Sequence, residues 1–152
     1  MRLSKNFSLK ELTHSPTAHR LGINNKPTQA DILRLEILCR NVLQPLRDAL
    51  GFPIRVNSGY RSPELNRAIG GSPTSDHMMG RAADIEAWQG DHDNLLIMKF
   101  LRDSPVEFKQ LIWEFGGAWI HVSYQQGHNR GEVLEAYKND AGRTQYRPWR
   151  GP

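Results

Sequence analysis

Apolar positions in the first third of the chain recur every three or four residues. Ile32, Leu35, Val42, Leu46 and Ala49 keep this spacing, which predicts a long helix with one buried face. Thr28 caps it, Pro27 precedes it, Asp31 stands in its first turn and Gly51 stops it. Pro45 interrupts the run and predicts a kink or a division, because proline lacks an N–H and crowds the preceding turn. Upstream, Phe7-Ser8-Leu9-Lys10-Glu11-Leu12 reads as a helix start. Ser8 and Glu11 have capping-box spacing, and Phe7 and Leu12 stand at staple positions. Residues 14–27, punctuated by Pro16 and Gly22, read as loop.

The period then changes from helical to two. Ile54, Val56 and Ser58 alternate with Arg55 and Asn57, a short strand. Ser62-Pro63 opens a helix through Ile69, closed by Gly70-Gly71. Residues 72–80 read as loop, Ala82 to Trp88 as a strand, and Asp91 to Leu101 as a helix capped by Asp91 or Asp93. Leu111 to Glu114 and Trp119 to Tyr124 read as strands joined around Gly116-Gly117, a hairpin signal. Glu132 to Lys138 reads as a short helix, and the end, with Pro148 and Pro152, as irregular. Helices first and short strands after them predict an α+β fold, in which a small antiparallel sheet has helices packed on it.

Composition narrows the chemistry more than the fold. A chain of 152 residues, 38% hydrophobic and 24% charged, fits one globular domain and excludes a collagen or a coiled coil. No stretch approaches the ~20 apolar residues of a membrane helix. The N-terminus has no apolar core or small-residue cleavage site, so no secretory signal is expected. The single cysteine, Cys39, excludes an intramolecular disulfide framework and a cysteine-rich zinc finger. Any metal must therefore be held by His, Asp or Glu. The net charge of +4 suits attraction to a polyanion without naming one; Arg143, Arg147 and Arg150 place much of the excess at the end. No basic stripe interleaved with aromatics points to nucleic acid.

Three segments can carry chemistry. In Ser75-Asp76-His77-Met78-Met79-Gly80-Arg81-Ala82-Ala83-Asp84, small residues let backbone pass close to whatever His77 and Asp84 hold. Taken singly, His77 also reads as a surface loop residue and Asp84 as a partner of Arg81. In Trp119-Ile120-His121-Val122-Ser123-Tyr124, alternation puts Trp119, His121 and Ser123 on one face. A turn at Gly116-Gly117 pairs Glu114 with Trp119 and Ile112 with His121. Glu114 and His121 then share a face as diagonal neighbours, with Cα atoms roughly 7–8 Å apart. A one-residue slip would reverse the face. Two histidines and an aspartate suit a catalytic zinc site, which commonly has three protein ligands and one open position. A nearby carboxylate can act there as general base. The third segment, Val56-Asn57-Ser58-Gly59-Tyr60-Arg61-Ser62-Pro63, runs from strand to helix start. Arg61 there either grips a carboxylate in bidentate fashion or pairs with Glu64 at the surface.

SGYRSPELN, SDHMMGRAADI and WIHVSY, in this order, resemble the zinc D-alanyl-D-alanine carboxypeptidase family, within a Hedgehog/DD-peptidase-like fold. The resemblance extends over FSLKELTHSPTAHRLGINNKP and spans about residues 6–125. The pattern S-x-H-x-x-G-x-A-x-D is complete in Ser75, His77, Gly80, Ala82 and Asp84. The resemblance implies that His77, Asp84 and His121 bind Zn2+, that Arg61 orients substrate or stabilises the transition state, and that Ser75 lies near the bound peptide. One branch of the family carries an acid three residues before the last histidine, where this chain has Ala118. Glu114 is then the best general base, with Glu86, on the strand face of Asp84, as the alternative. The resemblance implies residues 1–140 as a single zinc peptidase domain, with 141–152 a basic irregular tail that adds weak attraction to anionic cell-wall polymers. The implied reaction is hydrolysis of a peptide bond in peptidoglycan stem peptides, as carboxypeptidase or endolysin-type endopeptidase. The expected setting is a phage- or prophage-encoded protein made in the cytoplasm and acting at the bacterial cell wall, with no nucleic-acid partner and no membrane insertion. A non-catalytic zinc module or phage structural component of the same fold is the alternative.

Overall fold

Alternating residues in the second half of the chain build one sheet, and the apolar stripe of the first half covers one of its faces. The computed structural model describes residues 1–88 and 93–151. Its elements in chain order begin with β1 (Arg2–Ser4), β2 (Phe7–Ser8), α1 (Leu9–Thr13), α2 (Pro16–Leu21) and α3 (Gln29–Leu38). A π-helical turn (Cys39–Leu43) joins α3 to α4 (Gln44–Leu50), followed by β3 (Ile54–Ser58) and α5 (Pro63–Ala68). A 3-10 turn (Asp76–Met79), β4 (Ala82–Ala87), α6 (Asn94–Asp103), β5 (Gln110–Glu114), β6 (Trp119–Ser123), β7 (Glu132–Lys138) and β8 (Thr144–Pro148) complete the chain. β1 and β2 form a two-stranded sheet; the other six strands are ordered β3-β4-β6-β5-β7-β8. The fold is α+β, and all pairings in the large sheet are antiparallel except β5 with β7.

One face of this sheet is the core. Ala83 and Ile85 of β4, Ile120 and Val122 of β6 and Leu111 of β5 are fully buried. They pack with Leu35, Leu38, Val42 and Leu46 of the helical run and with Ile97, Met98 and Leu101 of α6. Period two then sends their neighbours Asp84, His121, Ile112 and Glu114 to the opposite face. The β3–β4 connection, residues 59–81, carries α5 and the 3-10 turn to that second face. Among the described residues, no helix is long and apolar enough to cross a membrane.

The capping box of α1 forms as expected, with Ser8 accepting from the Glu11 N–H and Glu11 from that of Ser8. Thr28 and Asp31 make a second one at α3. Asp93 caps α6; Asp91, the other candidate, lies outside the described residues. Three expectations need correction, and a fourth, at Pro45, takes an unexpected form. Residues 16–21 are helical rather than loop, because Ser15 caps, Pro16 takes the first-turn position where no N–H is needed, and Gly22 closes with φ 66°. The expected division at Pro45 takes the form of a change of helix type, with α3 ending at Leu38 and Pro45 standing in the first turn of α4. The widened turn before it, in which the Gln44 N–H reaches the Cys39 carbonyl, absorbs the misfit. Residues 132–138 are strand β7 rather than helix, since pairing with the central strand β5 overrides a local composition that fits either state. The end is not irregular: β8 pairs with β7 across a turn in which Asn139 Oδ1 accepts from the Ala141 and Arg143 N–H groups.

Candidate active site

Strand pairing sets the first layer of the site. Asp84 of β4 stands directly opposite His121 of β6. Ser58 of β3 stands opposite Asp84, and Ile112 of β5 opposite His121. The hairpin register is the one the Gly-Gly turn predicts, with Glu114 opposite Trp119. Glu114 is thus diagonal to His121 on the same face. The turn is held by Phe115 in the left-handed region, φ 48°, where a non-glycine residue carries strain.

His77 comes from the 3-10 turn. Ser75 Oγ accepts from the His77 N–H at 3.2 Å, and Gly80 ends the turn with φ 71°. A side chain at Gly80 would put its Cβ 2.7 Å from the Asp31 carbonyl oxygen, so the turn can sit against α3 only as glycine. His77 is 3% exposed. Its Nδ1 donates to the Gly59 carbonyl at 2.7 Å, which fixes the tautomer and leaves the Nε2 lone pair facing Asp84 Oδ1 at 3.3 Å. Gly59 is equally constrained, since a Cβ there would lie 2.3 Å from the Leu12 carbonyl oxygen. His121 Nδ1 reaches the same Asp84 oxygen at 3.0 Å. The two imidazoles meet edge to face with centroids 5.2 Å apart.

One nitrogen of each histidine and one oxygen of Asp84 therefore lie within 4.8 Å of one another. Burial holds the His77 imidazole below its ordinary pKa, against the pull of Asp84. Burial alone would raise the Asp84 carboxyl, but at low pH, where the imidazoles are protonated, the His77 charge and hydrogen bonds from His121 and His77 outweigh it and hold the group well below the usual carboxylate range. A neutral His77 lone pair aimed at a carboxylate is repulsive until a cation lies between them. The donor set therefore fits a metal ion, with an imidazole oriented by a backbone carbonyl as metal-ligating histidines commonly are. Cys39 takes no part: it is buried, and burial followed by Glu11 and Glu36 pushes its thiol up to about 12.

Glu114 and Arg61 flank this cluster. Glu114 is 8% exposed and has no ion-pair partner among the described residues. Burial, reinforced by Asp84 and opposed by His121 and Arg61, raises its carboxyl to about 7. Arg61 does not pair with Glu64. Its Nε donates to Ser58 Oγ at 3.1 Å, Nη1 to Asn66 Oδ1 at 3.3 Å and Nη2 to Asp84 Oδ2 at 3.4 Å. Arg61, not Arg81, is the arginine partner of Asp84. Glu86 faces the sheet edge, where Arg55 lies 4.0 Å away, and does not line the cleft. Ser75 does line it. The cleft has a volume of about 770 Å³ and runs from residues 69–77 across His121 and Glu114 to Tyr146.

Residues 5–123 match the model of the peptidase M15 family. The chain belongs to that family. A relative of this M15 peptidase is the zinc D-Ala-D-Ala carboxypeptidase of Streptomyces albus G, 50% identical over 46 residues. That segment is 30% of the M15 chain and 18% of the relative, so the likeness is local. Sequence reasoning missed two residues at this cleft and its margin. Asn66 is buried and bridges Arg61 to the Ser72 carbonyl, to which its Nδ2 donates at 2.9 Å. It lies in the quoted SGYRSPELN segment, where a polar residue on a short helix gave the only signal. Tyr146 lies on β8, which the expectation of an irregular end hid.

Proposed function

We propose that this M15 peptidase uses zinc to hydrolyse a peptide bond in the stem peptide of bacterial peptidoglycan, at the cell wall. The observation that carries the reading is a buried carboxylate of raised pKa, Glu114, beside a two-histidine, one-aspartate donor set in an open cleft. A structural metal site would be closed by a fourth ligand and would need no such base. The zinc-dependent relative supports the choice of metal and of a D-Ala-D-Ala-type substrate. D-Ala-D-Ala carboxypeptidase action and endolysin-type endopeptidase action in a phage setting both fall within this proposal.

His77, Asp84 and His121 would hold the ion, which supplies Lewis acidity to water and to the scissile carbonyl. Glu114 takes the proton from the attacking water and passes it to the leaving nitrogen. A carboxyl raised to about 7 suits both halves of that transfer at neutral pH. Arg61, held in a plane by Ser58 and Asn66, faces a substrate carboxylate or the developing oxyanion. Ser75 orients His77 through its backbone and borders the peptide.

Mass spectrometry of purified muropeptides, before and after digestion with zinc-loaded protein, tests the proposal. New fragments that together exceed their parent by one water, absent with the Glu114→Gln variant, are expected. An unchanged muropeptide profile would overturn it.

A further inference from the structure

The segment shared with the family ends at residue 123, yet the cleft does not. Its far wall is the β7–β8 hairpin, through Leu134, Thr144 and Tyr146. Register explains how these residues reach the site. β7 runs parallel to β5, so Leu134 stands opposite Ile112 and Ala136 opposite Glu114. β8 then pairs Tyr146 with Ala136. Two cross-strand rows result on the site face: Asp84, His121, Ile112 and Leu134, and beside it Trp119, Glu114, Ala136 and Tyr146. Ala136, between Glu114 and Tyr146, is covered at 1% exposed and does not line the cleft, whereas Glu114 and Tyr146 on either side of it do.

Tyr146 is 56% exposed, and its hydroxyl has no hydrogen-bond partner among the described residues. Tyr146 nevertheless lines the same cleft as Glu114, Asp84 and His121, and partial burial, then the charges of Glu114 and Asp84, raise its phenol. An aromatic ring with a free hydroxyl, next to an apolar floor of Ile112 and Leu134, combines stacking area with a polar handle. Arg61 lies at the opposite end of the row, over β3 and β4. A peptide whose reacting carbonyl sits at the donor cluster therefore runs toward Arg61 on one side and toward Tyr146 on the other.

We propose that the β7–β8 hairpin is a specificity wall, and that Tyr146, with Ile112 and Leu134, holds the peptide segment lying beyond the metal ligands from Arg61. The inference rests on the peptidase reading for the nature of the ligand, but not on turnover. The substrate class it selects is a peptide extended on that side of the scissile bond, rather than a bare dipeptide.

The test uses zinc-loaded full chain and synthetic stem peptides, a D-Ala-D-Ala dipeptide and longer ones extended on either side of the scissile bond. Affinity is read by calorimetry and turnover by steady-state kinetics, for wild type, Tyr146→Ala and Tyr146→Phe. Tyr137→Ala, on the other face of the same hairpin, controls for loosening of the strands. Tyr146→Ala is expected to raise Kd and KM for peptides extended on one side roughly three- to tenfold, an aromatic contact's usual worth. The dipeptide should lose less, and kcat should fall less than KM rises. Tyr146→Phe assigns the loss to ring or hydroxyl. Equal loss for dipeptide and extended peptides, no loss, or the same loss in Tyr137→Ala would overturn the proposal. A wild-type protein that binds extended peptides through Tyr146 without cleaving them would overturn the peptidase reading and support the wall. One that binds none of them would overturn both.

Discussion

Glu114→Gln in metal-free protein isolates the cost of the buried carboxylate. The Glu114 carboxyl is raised from 4.5 to about 7, chiefly by burial. Between these two values the folded state binds more protons than the unfolded state. Stability therefore falls as pH rises through this window. The favourable contribution of the neutral carboxyl is fully present below 4.5 and is lost once pH passes about 7. At 1.36 kcal/mol per pH unit, the displacement amounts to about 3 kcal/mol. Glutamine keeps the shape and has no proton to lose. Relative to the variant, wild type should thus become less stable by about 3 kcal/mol between pH 4 and pH 8, on the order of 5–10 °C in Tm for a domain of this size. The assay is urea unfolding at matched pH values with chelator present, and the readout is the difference between the two proteins, which cancels titrations they share. A difference that does not change with pH, or one of opposite slope, would refute the claim that Glu114 is held desolvated against the donor cluster.

Three further outcomes follow from the geometry. His77→Ala and His121→Ala should each abolish stoichiometric zinc in elemental analysis while leaving far-UV circular dichroism unchanged. Arg61→Lys should lower kcat/KM at unchanged zinc content, because an ammonium cannot meet Ser58, Asn66 and Asp84 together as the planar fork does; Asn66→Ala should reproduce part of that loss. Gly59→Ala should destabilise the fold by about 1–3 kcal/mol, since its Cβ would meet the Leu12 carbonyl oxygen at 2.3 Å, and should weaken zinc binding by moving the carbonyl that orients His77. The urea midpoint and a competitive zinc titration check the two effects.

The site was more legible in the chain than its surroundings. Asp84, His121 and Glu114 sit on strands whose alternation assigns each side chain to a face, and a Gly-Gly turn pins the register that makes Glu114 and His121 diagonal. His77 and Arg61 stand in loops whose positions no periodicity could fix; their segments offered them with surface readings open, and the motif resemblance gave them roles. Asn66 escaped because its meaning depends on Arg61 and Ser72 closing around it in space. β7 and β8 escaped for a different reason. Glu132-Val133-Leu134-Glu135-Ala136-Tyr137-Lys138 suits helix or strand locally, and only the parallel partner β5, in register from Gln110 opposite Glu132 to Glu114 opposite Ala136, decides. The π turn before Pro45 is likewise a tertiary solution: continuous burial of Leu38, Val42 and Leu46 favours one long apolar face over a break.

Reconstitution on a defined substrate tests the central claim most directly. Protein stripped with chelator and given one equivalent of zinc should regain hydrolysis of a synthetic stem peptide, and Glu114→Gln carrying the same zinc should be slower by roughly 10²- to 10⁴-fold. Hydrolysis that persists without zinc, or a near-normal rate in the zinc-loaded variant, would contradict the account.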